Sequence, residues 1–195
     1  MEGKRKQVGL FFGSFNPVHI GHMILANYMA TQTGLDEVWM VVSPHNPHKK
    51  AGSLARDHDR LNLVELAIGD TPYLRASRVE FSMPKPSYTI DTLAVLRDKH
   101  RDYDFTLLMG SDNLASLPKW KNYEIILRDY RIQVYRRPGD DGGELADHPS
   151  VTVYDAPLMH LSATYVRQCI QEGKCIRYLV PDAVATEIEK SGLYR

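Results

Sequence analysis

The chain has 195 residues, 43% of them hydrophobic, and its 24 basic side chains balance 24 acidic ones. That length favours one domain, and the composition excludes disorder, which needs low hydrophobicity and high net charge. Zero net charge leaves no global basic footprint for nucleic acid and no polybasic segment for a membrane surface. Cys169 and Cys175 form neither a disulfide framework nor a CxxC motif, so free thiols in a reducing cytosol are expected. The charged residues 1–7 run into an apolar stretch too short for a signal-peptide core or a membrane span, which predicts a cytoplasmic protein.

In chain order, short apolar runs alternate with helical patterns. Residues 8–12, 37–42, 104–109, 131–135 and 151–155 read as buried strands, and 73–81 more weakly so. Helices are expected over 20–33, over 57–69 with Leu61, Val64 and Ile68 on one face, and over 89–100 with Ile90, Leu93 and Leu96 or Arg97 on one face. Ser162 is a plausible N-cap for a helix over 163–171, and Pro181 suits the first turn of one over 182–190. The alternation predicts an α/β fold: a Rossmann-like parallel sheet with helices on both faces. The domain spans 1–195, and its helical segment 161–195 packs on the sheet. Residues 43–55, 82–87 and 136–150 are long loops rich in Pro, Gly and charge. The first has the character of a mobile basic lid.

The chemistry-bearing residues follow predicted strand ends, where such sheets bind ligands. Gly13-Ser14-Phe15-Asn16-Pro17-Val18-His19-Ile20-Gly21-His22 joins a strand to a helix start. A helix N-terminus has amides without intrahelical partners and attracts anions. Imidazoles there add donors and, when protonated, charge. Gly13 would permit a tight turn, and Gly21 the close approach of a ligand. A zinc site is the rival reading, although no third Cys or His ligand of suitable spacing stands out. His45 and His48 form a second pair in a proline-broken loop. Ser162, Thr164 and Arg167 place two hydroxyls and a guanidinium at another helix start, either as a plain cap and solvated face or as a second anion cradle. Asp112, after Gly110-Ser111, could cap a helix or hold a ribose hydroxyl or hydrated metal. Trp120 could be a core or docking residue or stack on a planar ring.

Together these motifs resemble the HxGH nucleotidyltransferase superfamily, and more closely the bacterial nicotinate-nucleotide adenylyltransferases. The resemblance runs over nearly the whole chain. It takes in Gly13 to His22, the loop Ser43 to Lys50, Pro86 to Leu93, Gly110-Ser111-Asp112 with Trp120, Arg136-Arg137-Pro138-Gly139, Ser162 to Arg167, and Ile176 to Pro181. Two departures stand out. The first motif is one glycine shorter than the family's Gly-Gly-Thr-Phe-Asp-Pro and has Asn16 for Asp, and Ala163 follows Ser162 where the family often has a second hydroxyl.

The resemblance implies adenylyl transfer from ATP to nicotinate mononucleotide, giving the deamido dinucleotide and pyrophosphate. It assigns catalytic roles to His19, His22 and Arg167. It assigns ATP contacts to Gly13, Ser14, Phe15, His19, His22, Gly110, Asp112, Arg136, Ser162 and Arg167. Acceptor contacts fall to Asn16, Lys49 or Lys50, Tyr88, Thr89, Asp112 and Trp120, with Trp120 stacked on the nicotinate ring. Mg²⁺ is expected on phosphates and water rather than on protein ligands. The implied partners are these small molecules, with neither nucleic acid nor membrane; a homo-oligomer is left open. Nicotinamide mononucleotide as acceptor, and a non-catalytic nucleotide sensor on the same fold, are the alternatives.

Overall fold

The structure, a computed structural model, describes residues 4–44 and 54–195. Six strands form one sheet: β1 (Lys6–Gly13), β2 (Glu37–Val42), β3 (Leu74–Ser77), β4 (Tyr103–Gly110), β5 (Arg131–Tyr135) and β6 (Val151–Tyr154). Their order is β3-β2-β1-β4-β5-β6, and every neighbouring pair is parallel. Parallel strands need crossovers, and helices supply those up to β5: α1 (Ile20–Gln32), α2 (Asp57–Ile68), α3 (Thr89–Lys99), α4 (Ser111–Ser116) and α5 (Tyr123–Asp129). A loop with one 3-10 turn links β5 to β6, and α6 (Ala163–Gln171) and α7 (Asp182–Ser191) follow the last strand.

Both sheet faces are covered, so alternate strand residues serve two cores. Phe11, Val38, Met40, Val42 and Leu108 pack with Leu25, Met29, Leu61, Val64, Val166, Val184 and Ile188, from α1, α2, α6 and α7. Val8, Leu10, Trp39, Val41, Leu107 and Met109 pack with Leu93, Leu96, Leu114, Ile126 and Leu127, from α3, α4 and α5. The C-terminal helices α6 and α7 contribute Val166, Val184 and Ile188 to the first of these cores. Among the described residues no helix is long and apolar enough to cross a membrane. Both cysteines are free thiols, Cys169 buried and Cys175 exposed.

The sequence pattern and the structure differ in two places. The weak strand over 73–81 shortens to β3, because Val79–Ser82 turns into a 3-10 helix. The stretch after β4 holds two short helices, α4 and α5, too short for a period to show. Buried Leu107 marks how much of the stability rests on the second core. Leu107→Ala should cost about 2–5 kcal/mol in a denaturant titration, through lost burial and a residual cavity.

Candidate active site

β1 and β4 are neighbours, and the order of connection reverses between them, so the crevice outside their carboxyl ends is the expected ligand position. The β1 side carries the histidines. His19 is the N-cap of α1 with extended backbone. Its Nδ1 accepts from the His22 backbone N–H at 3.3 Å, and His22 Nδ1 accepts from the His19 N–H at 3.2 Å. This is a capping box built from two imidazoles in place of the usual Ser and Glu. The rings stack with centroids 3.6 Å apart and planes 23° from parallel. An Nδ1 that accepts carries no proton, so in each neutral ring the proton sits on Nε2. Each ring therefore keeps one donor, Nε2–H, free of the backbone.

The surroundings hold the pair neutral. Burial first, and the nearby Arg137 second, lower His19 from its ordinary 6.5 to about 4. Burial, His19 and Arg137 hold His22 well below its ordinary value. In the free protein near neutral pH the histidines thus act as N–H donors rather than as imidazolium. A bound polyphosphate would push both values back up.

Two expectations for this loop change in detail. The left-handed backbone falls on Phe15 (φ 43°) and not on Gly13. A buried Phe there is strained, and its ring is held edge-on to Phe11 and His22 at 5.8 and 5.1 Å. Gly21 serves the histidine itself: a Cβ would lie 3.1 Å from the His19 ring. The α1 amides are also largely engaged. Ile20 N–H donates to Leu179 O at 3.0 Å, and His22 N–H donates to His19. Anion affinity at this end therefore rests on the imidazoles more than on free backbone.

The β4 and β5 side supplies a cation. Arg137 Nε lies 3.3 Å from Asp112 Oδ1, and its guanidinium sits 5.6 Å from the Tyr135 ring centroid. Its backbone N–H donates to buried Ser111 Oγ at 2.9 Å. The arrangement depends on Gly110, where a Cβ would collide with Asp112 Oδ1 and come within 2.8 Å of Arg137 Nε. Across the crevice, Ser162 Oγ caps α6 by accepting from Tyr165 N–H at 3.2 Å. Arg167 donates to Asn16 O at 2.7 Å and to Thr164 Oγ1 at 3.2 Å, which ties α6 to the histidine loop.

A cleft of about 820 Å³ gathers Gly13, Ser14, Phe15, Asn16, His19, His22 and Ser162 with Tyr135, Arg137 and Tyr165. An adjoining cavity of about 730 Å³ shares Arg137, Pro138 and Leu158 with it and holds Arg136, which pairs with Asp155 at 2.9 Å. Arg167 stands behind the cleft wall rather than in its lining, and Gly110 and Asp112 reach the cleft through Arg137. Tyr88, Thr89 and Trp120 line neither of these two cavities. Tyr88 precedes α3 and carries Lys121 Nζ 4.7 Å from its ring centroid, and Lys121 pairs with Asp91 at 2.9 Å. Half-buried Trp120 adjoins Lys121 and packs against the second core. His45, His48, Lys49 and Lys50 lie outside the described residues. Arg137 is the residue the sequence reading passed over; the family-like Arg136-Arg137-Pro138-Gly139 run contained it, but strand alternation alone does not say which arginine faces the histidines. Among the described residues no group of three or more His, Cys, Asp or Glu is placed to hold a metal.

A strand-end site of imidazole and guanidinium donors on a six-stranded parallel sheet defines a nucleotidyltransferase, and comparison with known proteins agrees. The chain belongs to the cytidylyltransferase-like family, whose profile matches residues 10–169. Within it, the relatives are more particular. A Cytophaga hutchinsonii protein named "Probable nicotinate-nucleotide adenylyltransferase" is 51% identical, over 91% of this chain and 93% of its own. A Flavobacterium psychrophilum protein of the same name is 48% identical, over 97% and 99%. The fold matches that of Plasmodium falciparum nicotinic acid mononucleotide adenylyltransferase complexed with NaAD, with a TM-score of 0.82 at 20% identity over 97% of each chain.

Two outcomes test this geometry. Because folding lowers the His19 pKa, its stabilising contribution is complete above its ordinary 6.5 and is lost as pH falls toward about 4. Wild type should lose about 3 kcal/mol more than His19→Asn between pH 7 and pH 4 in denaturant titrations, since Asn keeps a cap acceptor and does not titrate. Gly110→Ala should break the Arg137–Asp112 contact and lower turnover at least tenfold in a pyrophosphate-release assay.

Proposed function

We propose that the protein transfers the adenylyl group of ATP to nicotinate mononucleotide, releasing pyrophosphate and forming nicotinate adenine dinucleotide, a step of NAD biosynthesis. The observation that carries this reading is the convergence of two neutral imidazole N–H donors and Arg137 on one strand-end cleft. The relatives' shared name supports the choice of acceptor.

The chemistry needs little more than these donors. A 5′-phosphate oxygen of the acceptor attacks the α-phosphorus of ATP. The bond from that phosphorus to the bridging oxygen breaks in line, and pyrophosphate leaves with the electron pair. The nucleophile is already anionic, so positioning and charge stabilisation supply the catalysis. His19 and His22 donate through Nε2–H to oxygens whose charge grows in the transition state. Arg137 adds the permanent charge. The N-terminus of α6, with Ser162, takes the departing phosphates, and Arg167 holds that helix against Asn16. The adjoining cavity with Arg136 takes the nucleoside end of ATP. Tyr88, Thr89 and Trp120 take the pyridine nucleotide, with the indole on its ring.

Mg²⁺ fits this donor set as a passenger of the substrate. The cleft presents N–H groups and guanidinium, and its near carboxylate, Asp112, is engaged by Arg137. The ion needs oxygen ligands, so it would ride on phosphate oxygens and water, with Asp112 reaching it through water. Bound there, it would neutralise charge on the leaving pyrophosphate.

A side-by-side pyrophosphate-release assay with the two pyridine mononucleotides checks the reading. Nicotinate mononucleotide should be the better acceptor; preference for the amide would reassign the substrate. In the same assay His19→Asn should lose about 10²-fold in kcat while keeping its melting temperature. Trp120→Ala should raise the acceptor KM and leave the KM for ATP nearly unchanged.

A further inference from the structure

Arg60 is fully buried, the only charged member of the group of largest fully buried side chains. It stands four residues before Val64 on the buried face of α2, where the helical period calls for an apolar residue. A buried cation is costly unless its donors are all used. Here Nε and Nη1 are used on backbone carbonyls and Nη2 on a carboxylate. Nη1 donates to Ser14 O and to Ser43 O, the latter at 2.9 Å. Nε donates to Ala55 O at 3.1 Å, and Nη2 to Asp57 Oδ1 at 2.7 Å. The three carbonyls come from the loop after β1, the residue after β2 and the approach to α2. Asp57 in turn pairs with Lys85 at 3.3 Å, from the loop before α3.

Its connections run into the site. Ser14 lines the cleft. Ala55, whose carbonyl Arg60 holds, donates its N–H to Asn16 Oδ1 at 3.1 Å, and Asn16 O accepts from Arg167. Asn16 is three residues before His19. The Tyr194 ring packs from the C-terminus into the same region, and its phenol feels both Arg60 and Arg167. We infer that Arg60 is a positioning residue for adenylyl transfer: through the Ser14 and Ala55 carbonyls it fixes the histidine loop against α6 without touching substrate. The inference rests on the adenylyltransferase reading above. A planar guanidinium reaches separated carbonyls that a single ammonium cannot span together, and small misplacement of a positioned group costs large factors in rate.

The test compares Arg60→Lys with the core variant Leu107→Ala, in full-length protein assayed below both melting temperatures. Arg60→Lys should lower kcat at least tenfold with the KM for ATP within about threefold, whereas Leu107→Ala, destabilised in a core away from the cleft, should keep wild-type kcat. Equal kcat for Arg60→Lys and wild type would overturn the inference and leave Arg60 a structural residue. If Arg60→Lys does not fold, Asp57→Asn decides: loosening the guanidinium should lower kcat about threefold, and an unchanged kcat would overturn the role. Failure of the wild type itself to release pyrophosphate from ATP and nicotinate mononucleotide would instead sink the adenylyltransferase reading.

Discussion

The site is governed by where two imidazoles spend their Nδ1 atoms. His19 and His22 cap each other's backbone amides, and that reciprocal bond fixes tautomer, ring orientation and helix start together. A Ser–Glu box would close the helix equally well, but it would leave no ring donor over the crevice. Local folding and catalysis thus draw on opposite nitrogens of the same ring. Burial follows the same logic: it disfavours imidazolium, and so keeps Nδ1 available to accept.

Around that cap, permanent cations do the work that the neutral histidines do not. Arg137 supplies charge to the cleft, Arg167 joins two helix starts, and Arg60 gathers carbonyls behind them. Each is placed by a feature of another element. Gly110 leaves the space that the Arg137–Asp112 contact fills, and Asn16 accepts from Arg167 while receiving the Ala55 amide. A chain with no net charge can therefore present a locally cationic crevice.

Much of this was legible in the sequence, for physical reasons. Runs rich in apolar residues such as Glu37–Val42 and Arg131–Tyr135 were found because parallel strands buried on two faces leave little room for polar residues. The His19–His22 spacing was legible because a strand-to-helix junction is a local event. The two short helices after β4 were not, since seven residues or fewer barely complete two turns. Arg60 gave no signal of its own, because its carbonyl partners at Ser14 and Ser43 are distant in sequence. The neutrality of the histidines was likewise hidden; it arises from tertiary burial and from Arg137, more than a hundred positions away.

The first amide of α1 donates to the carbonyl of Leu179, and Arg167 reaches Asn16 across 151 positions. The helix that presents both histidines is therefore completed by residues that follow it by about 150 positions. On the ribosome, the N-terminal strand and its histidines emerge long before the groups that lock them. A nascent or C-terminally clipped chain could form β1 and much of the sheet yet lack an assembled anion site. Nucleotide would then favour chains that carry these segments over chains that lack them.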